Sequence, residues 1–351
     1  YILLHKAGYL FNMGNLNQSL SYVNEVLKIA KDIENKKLLM HTTKLLLFNN
    51  SLKGNLDRNL KYIERYLALA EELNDKQEII GALNSYGIFF MEQGDFDRSL
   101  GYLEQSLSLC NEIHSFKTVV VLSSLFELYL HMGALEKAQQ CLNHMKHVES
   151  QVDFESGTNF YTIAKAIILK RSPQKVNQLK AKEILKHLIE EVHPFSDLNY
   201  NALIELCDLN LLELRETNNL KLIDDIQPYF TQLKNIAKNE QSYWLLVEVL
   251  SLQAKLKLIT FEFKESQKLL RQAIDISEKH GLKRLNKRIA EEQDELSKNY
   301  IKWEKMKLSG ANISERINLT HLDEQIKNLL WKRKYLKRTI KQDQPSIKSF
   351  K

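Results

Sequence analysis

Apolar residues recur along this chain at steps of three and four rather than two, the spacing of one face of an α-helix. The clearest stretch is Leu83-Asn84-Ser85-Tyr86-Gly87-Ile88-Phe89-Phe90, followed by Phe96, Leu103 and Ser106. The pattern is broken by a short phrase that repeats. Gly14, Gly54 and Gly94 stand 40 residues apart, and Gly133 follows 39 later. The phrases read Gly14-Asn-Leu-Asn-Gln-Ser-Leu20, Gly54-Asn-Leu-Asp-Arg-Asn-Leu60, Gly94-Asp-Phe-Asp-Arg-Ser-Leu100 and Gly133-Ala-Leu-Glu-Lys-Ala-Gln139, with a looser copy at Phe261-Glu-Phe-Lys-Glu-Ser-Gln267. Each predicts a helix that ends on a residue able to take the left-handed conformation, then a second helix at once. Leu16, Leu56, Phe96 and Leu135 would plug the gap between the two helices. The small residues Ser19, Ser99 and Ala138 would let the helices approach, and Asn59 is a bulkier departure there.

A repeated helix pair cannot bury its apolar face alone and stacks on its neighbours, so the period predicts a solenoid. The phrases resemble the tetratricopeptide repeat (TPR) family. Its small, aromatic and glycine positions fall on Gly87, Phe90, Gly94, Phe96 and Ser99, and on Phe126, Tyr129, Gly133, Leu135 and Ala138, where Phe126 replaces the expected small residue. Ala254, Phe263, Ser266 and Ala273 carry the same register. The long period is similar to the kinesin-light-chain, LGN-type, Rap-type and MalT-type repeats. The resemblance implies an all-α, right-handed superhelical solenoid of antiparallel helix pairs over 1–280, about seven pairs of which the first would be cut short.

Between the clear repeats, 156–170 with 177–192 and 197–215 with 220–238 read as further pairs, and Pro228 is expected to kink or split its helix. After His280-Gly281 the period stops. Residues 281–342 read as two long helices, one over 282–308 and one from Ser314 to about Gln342, with a tail or linker over 343–351. Leu319, Leu322, Ile326, Leu329, Arg333, Leu336 and Ile340 form a coiled-coil seam, and Leu285, Ile289 and Leu296 a shorter one. The two helices would cap the solenoid as a hairpin, or the last would pair with a second chain.

Composition sharpens this picture. The chain is 44% hydrophobic with only 4 prolines and 11 glycines in 351 residues, too little punctuation for a strand-rich fold. No apolar run reaches the ~20 residues of a membrane-spanning helix. Three cysteines, Cys110, Cys141 and Cys207, lie in helical patterns, which favours a reducing cytoplasm over a disulfide framework. The chain begins at Tyr1 without a polar capping helix, so further repeats or another domain are expected upstream. Charge is uneven. Residues 279–351 hold 19 Lys and Arg against 9 Asp and Glu, a net +10, whereas the remainder is −4. The densest basic run is Lys332, Arg333, Lys334, Lys337, Arg338 and Lys341, which is either a solvated helix face or a contact for nucleic acid or anionic membrane.

The search for chemistry returns little. There is no phosphate-binding loop, no dinucleotide fingerprint, no nucleophile elbow and no His-Glu-x-x-His. Cys141, His144 and His147 cannot converge on a metal from one helix, because residue 147 lies about 240° around from residue 141. Neither catalysis, a metal nor a cofactor is expected. In the TPR resemblance, positions two, five, nine and twelve of each first helix line a concave groove. They fall on His41, Lys44, Phe48 and Ser51, on Gly81, Asn84, Ile88 and Met91, on Val120, Ser123, Glu127 and Leu130, and on Glu248, Ser251, Lys255 and Leu258. The candidate peptide- or protein-binding set is Lys44, Phe48, Asn84, Ile88, Met91, Ser123, Glu127 and Lys255. Asn84 falls where kinesin-light-chain repeats hold peptide backbone, but Lys44 and Ser123 replace its neighbours, so an asparagine ladder is absent. The expected function is an interaction scaffold that holds a peptide or protein segment. The alternatives are a ligand- or peptide-sensing regulatory domain of a larger protein, or contact through the basic end. Self-association through the C-terminal helix is a further expectation.

Overall fold

The computed structural model describes residues 1–12, 16–53, 56–115, 117–151, 160–191, 197–239, 242–322, 324–326 and 329. Among them there are helices and turns and no strand. The helices are α1 (Ile2–Asn12), α2 (Leu16–Asp32), α3 (Lys36–Lys53), α4 (Leu56–Glu72), α5 (Lys76–Glu92), α6 (Phe96–Glu112), α7 (Thr118–His131), α8 (Leu135–Gln151), α9 (Phe160–Arg171), α10 (Lys175–Glu191), α11 (Asp197–Thr217) and α12 (Leu222–Asn239). They continue with α13 (Tyr243–Ile259), α14 (Phe263–Lys279), α15 (Lys283–Lys298), α16 (Tyr300–Leu308) and α17 (Ile313–Thr320). Each helix from α1 to α15 packs on the next, so α1/α2 to α13/α14 are seven stacked pairs. The chain is an all-α, TPR-like repeat solenoid.

Local chemistry explains both kinds of turn. Within pairs, Gly94 and Gly133 take φ of 77° and 71°, a region that costs a β-carbon. The N–H of the next residue closes the helix end, Asp95 on Phe90 O at 2.9 Å and Ala134 on Tyr129 O at 2.8 Å. Gly14 and Gly54 lie outside the described residues. Phe261 holds the same left-handed position at φ 61°. Its ring is compensated by packing on Phe263 and Trp303 and beneath the Arg316 guanidinium, 4.2 Å from the ring centre. Between pairs a second left-handed series recurs at Glu34, Asn74 and His114. The first two are followed by a cap for the next helix, Asn35 accepting from Leu38 N at 2.8 Å and Asp75 from Glu78 N at 3.1 Å, while after His114 the Ser115 Oγ accepts from Lys117 N at 3.0 Å in the turn that leads into α7.

The small residues work as expected. Ser19 Oγ donates to Ala7 O at 2.9 Å and Ser99 Oγ to Gly87 O at 2.7 Å, each bridging the two helices of a pair. A β-carbon on Gly87 would sit 2.4 Å from Leu103 Cγ, so α5 and α6 meet closer there than any larger residue allows. Asn59, the bulkier departure, is buried all the same.

Three expectations need correction. Pro228 does not split α12, which runs unbroken from Leu222 to Asn239. Its ring lies on the exposed face, where water can serve the carbonyl that loses its partner. The stretch 282–308 is two helices with a break at Asn299, which brings buried Trp303 of α16 edge-on against Phe261 and Phe263. The helix from Ser314 does not run on as one element. It stops at Thr320, His321 turns left-handed at φ 50°, and helical residues resume at Leu322. The start of the seam is spent inside this chain: Leu322, Ile326 and Leu329 are buried in one apolar cluster with residues of α11 and α13 and with Phe11, Phe48 and Phe90. Leu285, Ile289 and Leu296 join the same cluster from α15. Arg333, Leu336 and Ile340 lie outside the described residues.

Candidate functional site

Successive odd-numbered helices place the predicted groove positions side by side, and the structure separates them into two kinds. Lys44 of α3 is not an open groove residue. Its Nζ lies 3.1 Å from Glu78 Oε2 of α5, and Nζ of Lys117, the residue just before α7, lies 3.6 Å from the other carboxylate oxygen. Tyr66 of α4 donates its hydroxyl to the same carboxylate. All four residues are buried. Burial alone would raise the Glu78 pKa, but Lys44, Lys117 and the Tyr66 hydroxyl outweigh it and bring the carboxyl down from 4.5 to about 2. Phe48 is also core, packed toward Phe11 with ring centroids 6.3 Å apart.

Two further charge clusters follow the same plan. Lys170 Nζ at the end of α9 lies 2.6 Å from Glu205 and 2.5 Å from Asp208 of α11. Burial opposes its charge, and the two carboxylates overcome this and raise its pKa. On α13 and α15, Glu248 pairs with Arg288 at 2.6 Å, and Lys255 with Glu292 at 3.3 Å. Lys255, another predicted groove residue, is buried in this cluster; burial lowers its pKa despite Glu292. The sequence reading missed Glu78, Lys117, Lys170, Glu205 and Arg288 as partners. A signal existed: the bonded groups stand 34, 35, 38 and 40 residues apart, about one repeat.

The remaining predicted residues form the second kind. Asn84 and Ile88 of α5 are half-buried, and Met91, Ser123 and Glu127 on α5 and α7 are buried. The Asn84 Oδ1 is buried and has no hydrogen-bond partner. An amide carbonyl enclosed without a donor costs about 1–3 kcal/mol, and the deficit disappears if a ligand supplies an N–H. Ile88, half-buried, and Met91, buried, follow this carbonyl one and two helical turns further along α5. The basic run Lys332, Arg333, Lys334, Lys337, Arg338 and Lys341 lies outside the described residues. Among the described residues no group of three or more His, Cys, Asp or Glu could hold a metal ion, and no helix is long and apolar enough to cross a membrane.

No family model and no curated protein matches the chain. Solved structures similar to it include the apo form of RapI, at 14% identity and a TM-score of 0.47 over 70% of this chain and 81% of that one. BtubC (BKLC) from P. vanneervenii is 16% identical with a TM-score of 0.43, over 67% of this chain and 91% of that one. A kinesin light chain TPR-like repeat protein of Podosopora anserina is 12% identical with a TM-score of 0.40, over 57% of this chain and 96% of that one. The TPR-like character of this solenoid rests on its own 40-residue phrases and stacked helix pairs.

Proposed function

We propose that the chain is a protein-interaction scaffold that takes a peptide or protein segment on the inner face of α5 and α7. The observation that carries this reading is the enclosed, unpartnered Asn84 carbonyl beside Ile88 and Met91. A segment laid across this face would donate a backbone N–H to Asn84 Oδ1 and place apolar side chains on Ile88 and Met91, with Ser123 and Glu127 setting its polar contacts. Lys44, Phe48 and Lys255 hold the helices that shape the face and do not themselves meet the ligand. The partner is a protein or peptide, and the groups that meet it are the Asn84 amide, the Ser123 hydroxyl, the Glu127 carboxylate and the apolar side chains of Ile88 and Met91.

The test is capture from a native lysate with wild-type chain, Asn84→Ala, and Asn84→Ala combined with Glu127→Lys. A fourth chain has the basic run from Lys332 to Lys341 neutralised. Loss of the main co-purifying protein from the first two variants, with unchanged circular dichroism, is the expected result. Loss only on neutralising the basic run, with strong salt dependence, would move the function to nucleic acid, membrane or an acidic partner at that end. Retention of the protein by all variants would overturn the groove reading.

A further inference from the structure

A different surface, on the C-terminal helices, carries large apolar residues on its outside. α16 follows the break at Asn299 and faces the body of the molecule with buried Trp303 and partly buried Met306. Residues of an α-helix turn by about 100° each, so Ile301 and Leu308 share one face and Trp303 lies on the opposite one. That outer face is open. Ile301 is 70% exposed, Leu308 86%, and Tyr300 on its flank 44%. Ser309 and Gly310, which follow, are exposed too.

The same helix is basic. From Lys298 to Gly310 the chain has four lysines, Lys298, Lys302, Lys305 and Lys307, against one acid, Glu304. All four lysines are exposed, and among the described residues none of them makes an ion pair. Exposed lysines elsewhere do find carboxylates, as Lys76 meets Glu112 and Lys287 meets Glu291. Lys305 stands with Ile301 and Leu308 on the crest, and Lys302 and Lys307 stand on its two flanks. The exposed acids of α15, Glu291, Asp294 and Glu295, fall before the break at Asn299. The wider charge points the same way. Residues 279–351 carry a net +10 and the remainder −4, so an anionic surface attracts this part of the chain first. Large aliphatic side chains in water, set among unpaired lysines, are what a helix presents when it lies in the interface of an anionic bilayer. The crest is convex, so a flat surface can meet both aliphatics at once, whereas a protein partner must supply a groove.

We propose that α16 is a peripheral membrane contact, which lays Ile301 and Leu308 into the surface of a bilayer that carries anionic lipid. Lys302, Lys305 and Lys307 keep their stems along the apolar layer and their ammonium groups at the anionic head groups. Two aliphatic side chains and a few lysines make a weak, reversible contact. It is made by residues outside the face of α5 and α7, and it stands or falls independently of the reading made for that face.

The test sediments the full chain with vesicles of phosphatidylcholine alone and of phosphatidylcholine mixed with phosphatidylserine. Binding to the mixed vesicles only, released by salt, is the expected result. Ile301→Ser with Leu308→Ser should weaken it about tenfold or more. Lys302→Gln with Lys305→Gln should weaken it by about fivefold for each lysine removed. Both pairs replace exposed side chains, so each variant should melt like wild type, and Asn84→Ala should keep full vesicle binding. A polarity-sensitive dye on Leu308→Cys should shift to the blue on the mixed vesicles, while the three native cysteines, being buried, stay unlabelled. The dye shift, and the loss in the Ile301 and Leu308 pair, should persist in a chain whose basic run from Lys332 to Lys341 is neutralised. No binding to the mixed vesicles, binding that both α16 pairs leave intact, or a dye that stays in water would overturn the proposal. So would capture on polyglutamate beads through the same lysines while the vesicles fail, because the crest would then belong to an acidic protein.

Discussion

Replacing Glu78 by glutamine keeps its shape and removes the single carboxylate between Lys44 and Lys117. The two ammonium groups, 3.1 and 3.6 Å from its oxygens and themselves buried, would then lose the counter-charge that Glu78 supplies. Removing one member of a buried pair costs roughly 3–5 kcal/mol. The titration of Glu78 gives a separate figure. Its carboxyl falls from 4.5 to about 2 on folding, and at about 1.4 kcal/mol per pH unit that gap amounts to about 3 kcal/mol. Because the folded pKa is the lower one, this stability is fully present above pH 4.5 and is lost as the pH falls toward 2. Repeats couple mainly to their neighbours, so the loss should be local. Native-state hydrogen exchange reads it directly. At pH 7 the amides of α3, α5 and α7 in Glu78→Gln should exchange about a hundredfold faster than in wild type, with α13 and α14 as an unchanged reference. By pH 3 the difference between the two chains should shrink to roughly half or less. A loss below about 1 kcal/mol at pH 7, or one that does not shrink in acid, would refute the account of the cluster as charge-paired.

Other outcomes follow from single positions. Gly87→Ala should destabilise the chain by about 1–3 kcal/mol in thermal melts, because its β-carbon would overlap Leu103, whereas Gly101→Ala, with nothing within 4 Å, should stabilise it by about 0.5–1 kcal/mol. Cys110, Cys141 and Cys207 are buried, and burial pushes the first two thiols up to about 11, so a thiol reagent at pH 7.5 should label them only on unfolding. Glu149 is pushed up to about 7 by burial, against the pull of the Tyr161 and Phe160 N–H groups. Its ionised form is therefore disfavoured in the fold, and Glu149→Gln should gain stability over wild type at pH 8 but not at pH 4, measured by denaturant midpoint.

The fold was legible because its period is written in residues with one conformational reason each. Gly94 and Gly133 mark the left-handed turns, and Ser19 and Ser99 the close crossings. The pairs in the weaker stretch were also readable, since α9 to α12 lie within a few residues of the expected spans. The breaks at Asn299 and His321 were not. Nothing local ends the helix at either place; the cause is burial of Trp303 against Phe261 and Phe263, and of Leu322, Ile326 and Leu329 in the core, which only the assembled fold supplies. Lys44 and Lys255 misled for a related reason. A lysine at a groove position reads as a ligand contact until the opposite charge one repeat away is seen to reach it.

Charge placement along the inner face bears on where a ligand could bind. Lys44 with Glu78 and Lys117 ties α3, α5 and α7; Lys170 with Glu205 and Asp208 ties α9 and α11; Glu248, Arg288, Lys255 and Glu292 tie α13 and α15. Each cluster joins equivalent helices of neighbouring repeats, and so fixes how far they can splay. A buried ion pair adds little net stability over an apolar contact of the same size, but it strongly disfavours any arrangement that separates its charges. The clusters also consume the charged positions of the face they occupy. The stretch of α5 and α7 beyond Glu78 and Lys117 is different, because there the face carries Asn84, Ile88 and Met91, and an enclosed carbonyl still lacks a donor. If a segment is bound there as proposed, the charge clusters on either side would hold Asn84 Oδ1 at a fixed place to meet its backbone.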